Sequence, residues 1–325
     1  MYNTLNLDDA AQQALGFLTS QTTYIEREVV QMQFPEIQYP ALIPVDTSAP
    51  EWVRSITYYS SEMTGQAGWL HGYARDIHVA DVERGQHEHM VHMADIGYRY
   101  SLEELGVAQL TNQPLTTDRA AAARLAYEQF VDGAALRGRP EKGMSGLINY
   151  PGVSRVDVRS ITEGGNTRTT WDEKTPDEIA EDVNSAITGQ YLATNTIELG
   201  DTVLLPIDAM MLIATKRLID TEMTVLSWLM LNNVYTFQTG RPLTFRGVRG
   251  LETAGNGGNG RMVVYRRDPQ VLKLHIPMTH RFLPVWRRSP LAYDIPGIFR
   301  LSGLEVKRLG AVRYVDGITA DPDAS

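Results

Sequence analysis

The residues with the clearest capacity for metal chemistry are three histidines within six positions, in the segment His87-Glu88-His89-Met90-Val91-His92. A zinc-protease helix needs two histidines four residues apart with a glutamate directly after the first, whereas the fourth residue after His87 is Val91. On a strand, His87 and His89 would share one face while His92 pointed to the other. The pattern favours solvated polar residues, with a metal site and adventitious binding of nickel or zinc as the alternatives.

A glycine-rich segment, Gly255-Asn256-Gly257-Gly258-Asn259-Gly260, contains the spacing G-x-G-x-x-G. Dinucleotide binding requires a strand before this motif and a helix after it, because the amides at the helix N-terminus hold the pyrophosphate. Here the following residues, Arg261 to Tyr265, are β-branched and aromatic, which is typical of a strand. We therefore predict a loop between strands and no cofactor.

The remaining reactive groups do not form a recognisable catalytic pattern. A serine nucleophile elbow ends on glycine, whereas Gly143-Met144-Ser145-Gly146-Leu147 ends on leucine. The acidic groups Glu103-Glu104 and Glu178, Glu181 and Asp182 are better explained by helix dipoles and solubility. The sequence has no cysteine, which excludes thiol catalysis and cysteine-ligated metals. We expect no catalytic residue, no bound metal and no enzymatic activity.

Composition indicates a soluble globular protein. The 325 residues correspond to about two domains of roughly 150 residues each. Thirty Lys and Arg against 39 Asp and Glu give a net charge of −9, whereas attraction to nucleic acid needs clustered basic residues. The longest apolar stretch, 203–214, is broken by Pro206 and Asp208, and no signal peptide is recognisable. We expect no membrane association, and the missing cysteines are compatible with a cytoplasmic location.

The first part of the chain, residues 1–100, is predicted to be mainly extended. A short helix is predicted from Asp8 to Leu18, and prolines at 35, 40, 44 and 50 then favour an extended path over residues 1–50. Residues 51–100 alternate in polarity on both sides of a glycine-bearing stretch with Gly65, Gly68 and Gly72. This pattern predicts a long two-stranded hairpin, which is only marginally stable alone and therefore needs a partner surface.

Helical patterns occupy the middle of the chain. An alanine-rich amphipathic stretch predicts a helix over 115–138, and Thr175-Pro176-Asp177-Glu178 is a capping box that starts a second helix. After a strand from Thr202 to Leu205, two further helices are predicted over about 207–219 and 222–232, and 241–317 is mainly strands and loops. Helices and strands mix without regular βαβ alternation, so the predicted class is α+β.

The order of these parts resembles that of the major capsid proteins of tailed bacteriophages, which have the Hong Kong ninety-seven-type fold shared by encapsulin shells. Four segments carry the resemblance: the strand leaving the hairpin, the start of the long helix, the segment after it, and the closing strands. These are Tyr98 to Leu105; Pro114-Leu115 with Ala120 to Arg124; Ala134 to Gly138 with Gly146 to Val153; and Phe299-Arg300 with Arg313 to Ile318.

The resemblance implies a Hong Kong ninety-seven-like fold with four parts. Residues 1–53 would be an N-terminal arm and 54–97 an extended β-hairpin loop. Residues 98–172 and 296–325 would form a peripheral domain with a long spine helix. Residues 173–295 would form an axial domain near the centre of a capsomer, with Gly255–Gly260 as a mobile loop.

The function implied by the resemblance is that of a major capsid protein. It would self-assemble into hexamers and pentamers of an icosahedral shell that encloses double-stranded viral DNA without specific binding. Its partners would be further copies of itself, with portal, scaffolding and cement or decoration proteins. It would reside in the virion after assembly in the host cytoplasm. The alternatives are an encapsulin-like nanocompartment and a soluble enzyme.

Subunit contacts are expected along the hairpin. We predict that Trp69 anchors the tip of the hairpin on a neighbouring subunit, because aromatic residues dominate interface hot spots. The alternative is that Trp69 packs inside its own subunit. Charged contacts are predicted from residues that can form ion pairs at the edge of the loop: Arg75, Asp76, Asp81, Glu83 and Arg84. Some relatives crosslink subunits through a loop lysine, but no lysine lies between Ser55 and Arg137. Non-covalent closure is therefore expected.

Overall fold

The computed structural model describes residues 34–64, 80–104, 115–218, 222–289 and 291–321. The chain divides into two units, Met1–Glu36 and Ile37–Ser325, and the fold presented here is that of the second unit. The helix predicted from Asp8 to Leu18 and the glycine-bearing tip of the hairpin lie outside the described residues.

Among the described residues, helices form where the sequence predicts them, with two additions. In chain order they are α1 Tyr39–Leu42, α2 Leu115–Leu136, α3 Pro176–Ala193, α4 Ile207–Thr215, α5 Val225–Leu231 and α6 Val234–Thr239. The predictions for α2 to α5 are confirmed, with shorter bounds for α4 and α5. Helices α1 and α6 are absent from the prediction, and α1 interrupts the extended path predicted over residues 1–50, because Pro40 is accommodated in its first turn. Among the described helices, none has both the length and the apolar character required to cross a membrane.

Strands account for much of the remainder and confirm the α+β class. In chain order they are β1 Val45–Asp46, β2 Ser55–Thr64, β3 Asp81–Met90, β4 His92–Asp95, β5 Tyr98–Ser101, β6 Gly138–Arg139, β7 Met144–Ser145, β8 Ser154–Asp157, β9 Ile161–Glu163, β10 Asn166–Arg168, β11 Thr202–Leu205, β12 Thr244–Gly247, β13 Arg261–Tyr265, β14 Leu272–His275, β15 Met278–Phe282, β16 Trp286–Ser289, β17 Ala292–Ile295, β18 Gly297–Leu301, β19 Gly303–Val306 and β20 Val312–Asp316.

The long helix α2 packs through an apolar stripe and ends at a tight reversal. Tyr127, Val131 and Ala134 are buried at the spacing of successive turns. After Leu136 the chain reverses through Gly138, whose φ is +78°. A Cβ at Gly138 would lie 2.4 Å from the carbonyl oxygen of Met144, so only glycine allows β6 to approach β7 there.

Helix α3 begins at the capping box that the sequence predicts. The Thr175 hydroxyl accepts a hydrogen bond from the backbone N–H of Glu178, and the Glu178 carboxylate accepts one from the backbone N–H of Thr175. The first turn also orders a buried polar group, in which Asp182 Oδ2 accepts from Lys174 Nζ at 2.7 Å and from Trp171 Nε1 at 3.1 Å. These contacts fix the start of α3 to the segment 171–175 that leads into it.

A five-stranded sheet in the order β12-β11-β13-β20-β8 forms the centre of the subunit. Strands β11 and β13 are buried on both faces, and alternate residues point to opposite sides. Leu204, Val263 and Tyr314 lie in one apolar cluster with residues of α2. Val203, Val264 and Val315 lie in a second cluster with residues of α3, α4 and α5. The sheet thus separates two cores.

The central sheet combines strands that are far apart in the sequence. Strands β8 and β20 come from the segments 98–172 and 296–325, whereas β11, β12 and β13 come from 173–295. Smaller sheets surround it, in the orders β1-β14-β19, β15-β18-β4, β16-β17-β5, β2-β3, β9-β10 and β6-β7. The two segments that the sequence assigns to different domains therefore share one sheet.

The glycine-rich segment is a loop between strands, as predicted. The backbone N–H of Asn256 donates to Asp316 Oδ2 at 3.1 Å, and Gly255 N donates to the carbonyl of Asn259 at 2.8 Å. Gly257 has a φ of +74°, and the chain then enters β13 rather than a helix. The residues after the loop therefore lack the helix N-terminus that a dinucleotide site requires.

Candidate subunit interface

The predicted hairpin is present as β2 and β3, ten residues each. The strands pair antiparallel from Ser55 opposite Met90 at the root to Thr64 opposite Asp81. Within the described residues, neither strand pairs with any other sheet. The hairpin therefore projects as a separate two-stranded ribbon.

The two faces of the ribbon differ in exposure. One face carries Ile56, Tyr58 and His89, which are partly buried near the root. The opposite face carries Tyr59, Val82 and Met90, whose exposed fractions are 71%, 48% and 56%. Side chains of this size on one solvent-facing strip are typical of a surface that another molecule covers.

The predicted contact residues fall into two groups. Trp69, Arg75 and Asp76 lie outside the described residues. Asp81, Glu83 and Arg84 lie on β3 with exposed side chains. Asp81 and Glu83 share the face of His89, and Arg84 points to the face of Tyr59 and Met90, because the side chains of a strand alternate.

No ion pair joins these three side chains to another described residue. The Asp81 carboxylate accepts only the neighbouring backbone N–H of Val82, at 2.8 Å. The three charges therefore have no partner in the described part of their own subunit. Their role in contacts between subunits stays a prediction.

The histidine cluster adopts the strand arrangement expected from its spacing. His87 and His89 share a face of β3 and stack on Tyr58. The Tyr58 ring centroid lies 4.9 Å from that of His87 and 6.0 Å from that of His89. His87 Nε2 also lies 3.2 Å from the Ser60 hydroxyl oxygen. His92 lies on β4, opposite Leu301 of β18. No group of three potential metal ligands comes together among the described residues. The histidines of β3 therefore act here as packing and hydrogen-bonding side chains.

Beneath the root of the ribbon lies a charged cluster of two buried residues, His275 and Glu305, and two partly exposed ones, Asp46 and Lys273. His275 Nε2 makes a short hydrogen bond to Glu305 Oε2, and both residues are buried. Lys273 Nζ lies 3.1 Å from Asp46 Oδ2, which is 3.6 Å from His275 Nδ1. The cluster joins β1, β14 and β19, the three strands of one small sheet.

Ionisation within this cluster is shaped by burial and by its partners. Burial opposes ionisation of Glu305, but the hydrogen bond and charge of His275 outweigh it and hold the pKa of Glu305 below its usual value. Two hydrogen bonds from Ser48 hold the pKa of Asp46 well below its usual range. Burial lowers the pKa of His89, although the charge of Glu305 acts in the opposite direction. The ribbon root thus lies within electrostatic range of the buried carboxylate.

Further contacts tie the root to the closing strands of the chain. Strand β3 continues into β4, which pairs with β18, so the descending arm is anchored in a three-stranded sheet. Arg300 of β18 donates to the carbonyl oxygen of Glu51 at 2.6 Å, and its guanidinium lies 5.8 Å from the Trp52 ring centroid. Lys307 lies 5.5 Å from the ring centroid of Tyr58. The ribbon is therefore anchored at its root, and beyond the root it pairs with no other described strand.

Sequence reasoning did not identify the charged cluster. Its members lie at positions 46, 273, 275 and 305, so no local spacing brings them together. The only available signal is the isolated polar residue within an apolar strand, such as Glu305 between Leu304 and Val306. Such a residue indicates a buried partner but does not identify it.

Comparisons with known proteins fit this geometry. The profile of the family described as "Major capsid protein" matches residues 65–318. No curated protein sequence matches the chain. A solved structure of the capsid of Myoviridae phage XM1 superposes with a TM-score of 0.76 at 20% identity, covering 92% of this chain and 97% of that chain.

Further solved structures have the same fold at lower similarity. One from Microbacterium phage Oxtober96 has a TM-score of 0.59 at 11% identity and covers 96% of this chain and 99% of that chain. One from Gordonia phage Cozz has a TM-score of 0.56 at 14% identity and covers 93% of each chain. At these identities the structural likeness shows the fold, and the sequence profile shows the family.

Proposed function

The chain belongs to the major capsid protein family, and we propose that it assembles into hexamers and pentamers that close an icosahedral shell around double-stranded DNA. The family match covers residues 65–318, so the chain is a structural protein of the phage capsid with the Hong Kong ninety-seven-type fold. The family is structural and is not a class of enzymes. The proposal concerns how the subunits associate and what they enclose.

The observation that carries the proposal is the unpaired ribbon of β2 and β3. Ordering a residue costs about 1–2 kcal/mol of backbone entropy, which a ribbon recovers only by burying apolar surface. Tyr59, Val82 and Met90 instead remain exposed on the subunit. A neighbouring copy that covers this face would convert a marginal hairpin into a buried one.

Charge placement supports the same arrangement. Asp81, Glu83 and Arg84 have no ion-pair partner among the described residues, so a neighbour can supply partners of opposite charge. Exposed pairs contribute little individually, but they fix register when repeated around a closed shell. Trp69, Arg75 and Asp76 complete the proposed contact surface near the tip.

The proposed domain organisation follows the family's plan. Residues 1–53 serve as the arm, 54–97 as the extended loop, 98–172 with 296–325 as the peripheral domain, and 173–295 as the axial domain. A net charge of −9 suits a container that encloses DNA without gripping it. Assembly in the host cytoplasm and participation of portal, scaffolding and decoration proteins belong to the same proposal.

Removal of the ribbon tests the proposal directly. The full chain and a variant in which residues 61–84 are replaced by a short glycine-serine turn are compared by light scattering and negative-stain microscopy. We expect closed particles from the full chain, and a smaller, folded oligomer from the variant. A full chain that stays at or below the size of a hexamer at every concentration would overturn the proposal. Particles filled with a protein cargo when produced without phage DNA would support an encapsulin-like compartment instead.

A further inference from the structure

An arginine-lined groove lies at the end of the central sheet where β11 and β12 begin. Its volume is about 430 Å³, and its lining includes Arg241, Arg246 and Arg267 together with Asp201 and Tyr235. A second cavity of about 380 Å³ lies next to it and shares Arg241, Arg267, Asp201 and Tyr235 as lining residues. The groove concentrates positive charge on a chain whose net charge is negative.

The three arginines are not neutralised by described residues. Arg267 donates to the carbonyl oxygen of Pro40 at 3.2 Å, and no ion pair links Arg241, Arg246 or Arg267 to a carboxylate within the described ranges. The one carboxylate on the groove wall, Asp201, accepts the Thr202 hydroxyl and the backbone N–H of Arg267, both at 2.8 Å. Exposed guanidinium groups converging on one cleft favour a ligand that bears carboxylate or phosphate groups.

An apolar surface lies on the face of helix α6 that points away from the groove. Phe237 is 91% exposed, Leu231 of α5 is 59% exposed, and both line a cavity of about 450 Å³ beside α6. Residues of the same helix therefore line the arginine groove and the apolar cavity. Apolar side chains of this size contribute little to binding a phosphate backbone but are typical of protein interfaces. Their presence on the same helix favours a protein partner over nucleic acid.

Four acidic side chains lie at the corner of the central sheet that is diagonally opposite the arginine groove. Asp157 ends β8, the edge strand farthest from β12. Asp172, Glu173 and Asp177 follow Trp171, whose backbone N–H donates to the carbonyl of Ile318 just beyond the end of β20. All four carboxylates are exposed, and none forms an ion pair with a side chain in the described ranges. The sheet is therefore basic at one corner and acidic at the diagonal corner.

The charge difference between the two corners is suited to joining subunits in a closed ring. A ring of more than two identical copies must join two different surfaces of the subunit, because a self-complementary patch closes at a dimer. Strand β12 is an edge strand, so the groove also lies beside an open sheet edge. We propose that, within each capsomer, the arginine groove receives the acidic corner of the next copy, formed by Asp157, Asp172, Glu173 and Asp177.

This inference rests on the proposed assembly into rings and is tested by exchanging charges. A groove variant carries Arg241→Glu and Arg246→Glu, and a corner variant carries Asp157→Lys and Asp172→Lys. Each alone places like charges across the interface, so we expect particle formation to require an about tenfold or higher protein concentration. The variant with all four substitutions restores opposite charges in exchanged positions, and we expect it to recover assembly.

Controls separate this interface from the assembly itself. Thermal unfolding verifies that the exposed substitutions leave the subunit folded, and Arg124→Glu with Lys142→Glu gives the same charge change away from the groove. If the unmodified chain fails to form particles, the proposed function fails. If it forms particles and the groove and corner variants assemble equally well, or the four-fold variant is not rescued, only the present inference is overturned. Binding of a short DNA duplex that the groove variant loses while assembling normally would assign the groove to phosphate and overturn it as well.

Discussion

Arg261 and Asp316 form a two-point ion pair between β13 and β20, at one end of the central sheet. Arg261 Nε lies 2.6 Å from Asp316 Oδ1, and Nη2 lies 2.8 Å from Oδ2, with both side chains almost fully buried. The residues are directly opposite each other on β13 and β20. The remaining Nη1 donates to the carbonyl of Ile148 at 2.7 Å, and the guanidinium lies 4.6 Å from the Tyr314 ring centroid. One arginine thus joins three distant parts of the sequence.

Removing one member of this pair should strongly destabilise the subunit. We expect Arg261→Ala to lower the free energy of unfolding by about 3–5 kcal/mol, because Asp316 is then left charged and buried. Urea unfolding of the subunit, followed by tryptophan fluorescence, measures the change. Arg159→Ala is the matched control, since it breaks an exposed pair with Glu181 and should cost at most about 1 kcal/mol. Equal losses in the two variants would contradict the assigned role.

Gly138, at the chain reversal after α2, should not tolerate replacement by a residue with a side chain. Gly138→Ala combines a positive φ with a Cβ 2.4 Å from the Met144 carbonyl oxygen, so the backbone must move. We expect low yield of folded protein, or a melting temperature well below that of Gly143→Ala. The Gly143 control also has a positive φ, of +66°, but no atom lies within 4 Å of its added Cβ. The difference between the variants isolates the steric effect, and its absence would show that β6 can shift away from β7.

Acidification should weaken the hairpin root in two stages. The pKa of His89 is lowered in the fold by burial, so its stabilising contribution is lost as the pH falls below the unfolded value of about 6.5. The pKa of Glu305 is also lowered, so its contribution is present above the unfolded value and lost as the pH falls through its folded pKa. Thermal unfolding at a series of pH values should therefore show falling stability toward acid.

Variants distinguish the two stages. His89→Gln should remove the loss that begins near neutral pH and leave the more acidic one. Glu305→Gln should reduce the more acidic loss, at the cost of lower stability at neutral pH, because His275 then loses its charged partner. Stability that rises as the pH falls from 7 to 5 in the unmodified chain would contradict the sign of the His89 shift.

The tip of the hairpin provides a test of assembly without a change in folding. Trp69→Ala removes the proposed anchor, and we expect fewer particles by light scattering with an unchanged urea unfolding curve of the subunit, since aromatic anchors dominate interface hot spots. Normal particle yield would contradict an inter-subunit role. A large loss of subunit stability would instead show that Trp69 packs within its own chain.

Elements whose signals are local could be predicted from the sequence. The capping box at Thr175 and Glu178, the alanine-rich stripe of α2 and the alternation along β2 and β3 each specify structure within a few residues. Helix α6 was beyond this reasoning because its sequence, Val-Tyr-Thr-Phe-Gln-Thr, favours a strand. It becomes helical through the cap from Asn233 to the N–H of Thr236 and the left-handed Gly240 that ends it.

Contacts between distant segments could not be predicted in the same way. The parallel pairing of β8 with β20 joins residues about 160 positions apart, as at Ser154 and Arg313. The contact of His275 with Glu305 depends on the register of β14 against β19. The arginine groove likewise depends on how α6, β12 and the turn after β13 meet. Such features require the tertiary fold, because nothing in the local sequence selects one register over another.

The position of β20 has a consequence for synthesis on the ribosome. This strand lies between β13 and β8 and contributes Tyr314 to one core and Val315 to the other. Neither core can close until residues 312–316 have left the exit tunnel, although every other strand of the central sheet has emerged by then. The growing chain therefore cannot complete its native subunit surface before this strand has emerged. Nascent chains that still lack β20 should consequently not yet associate with one another.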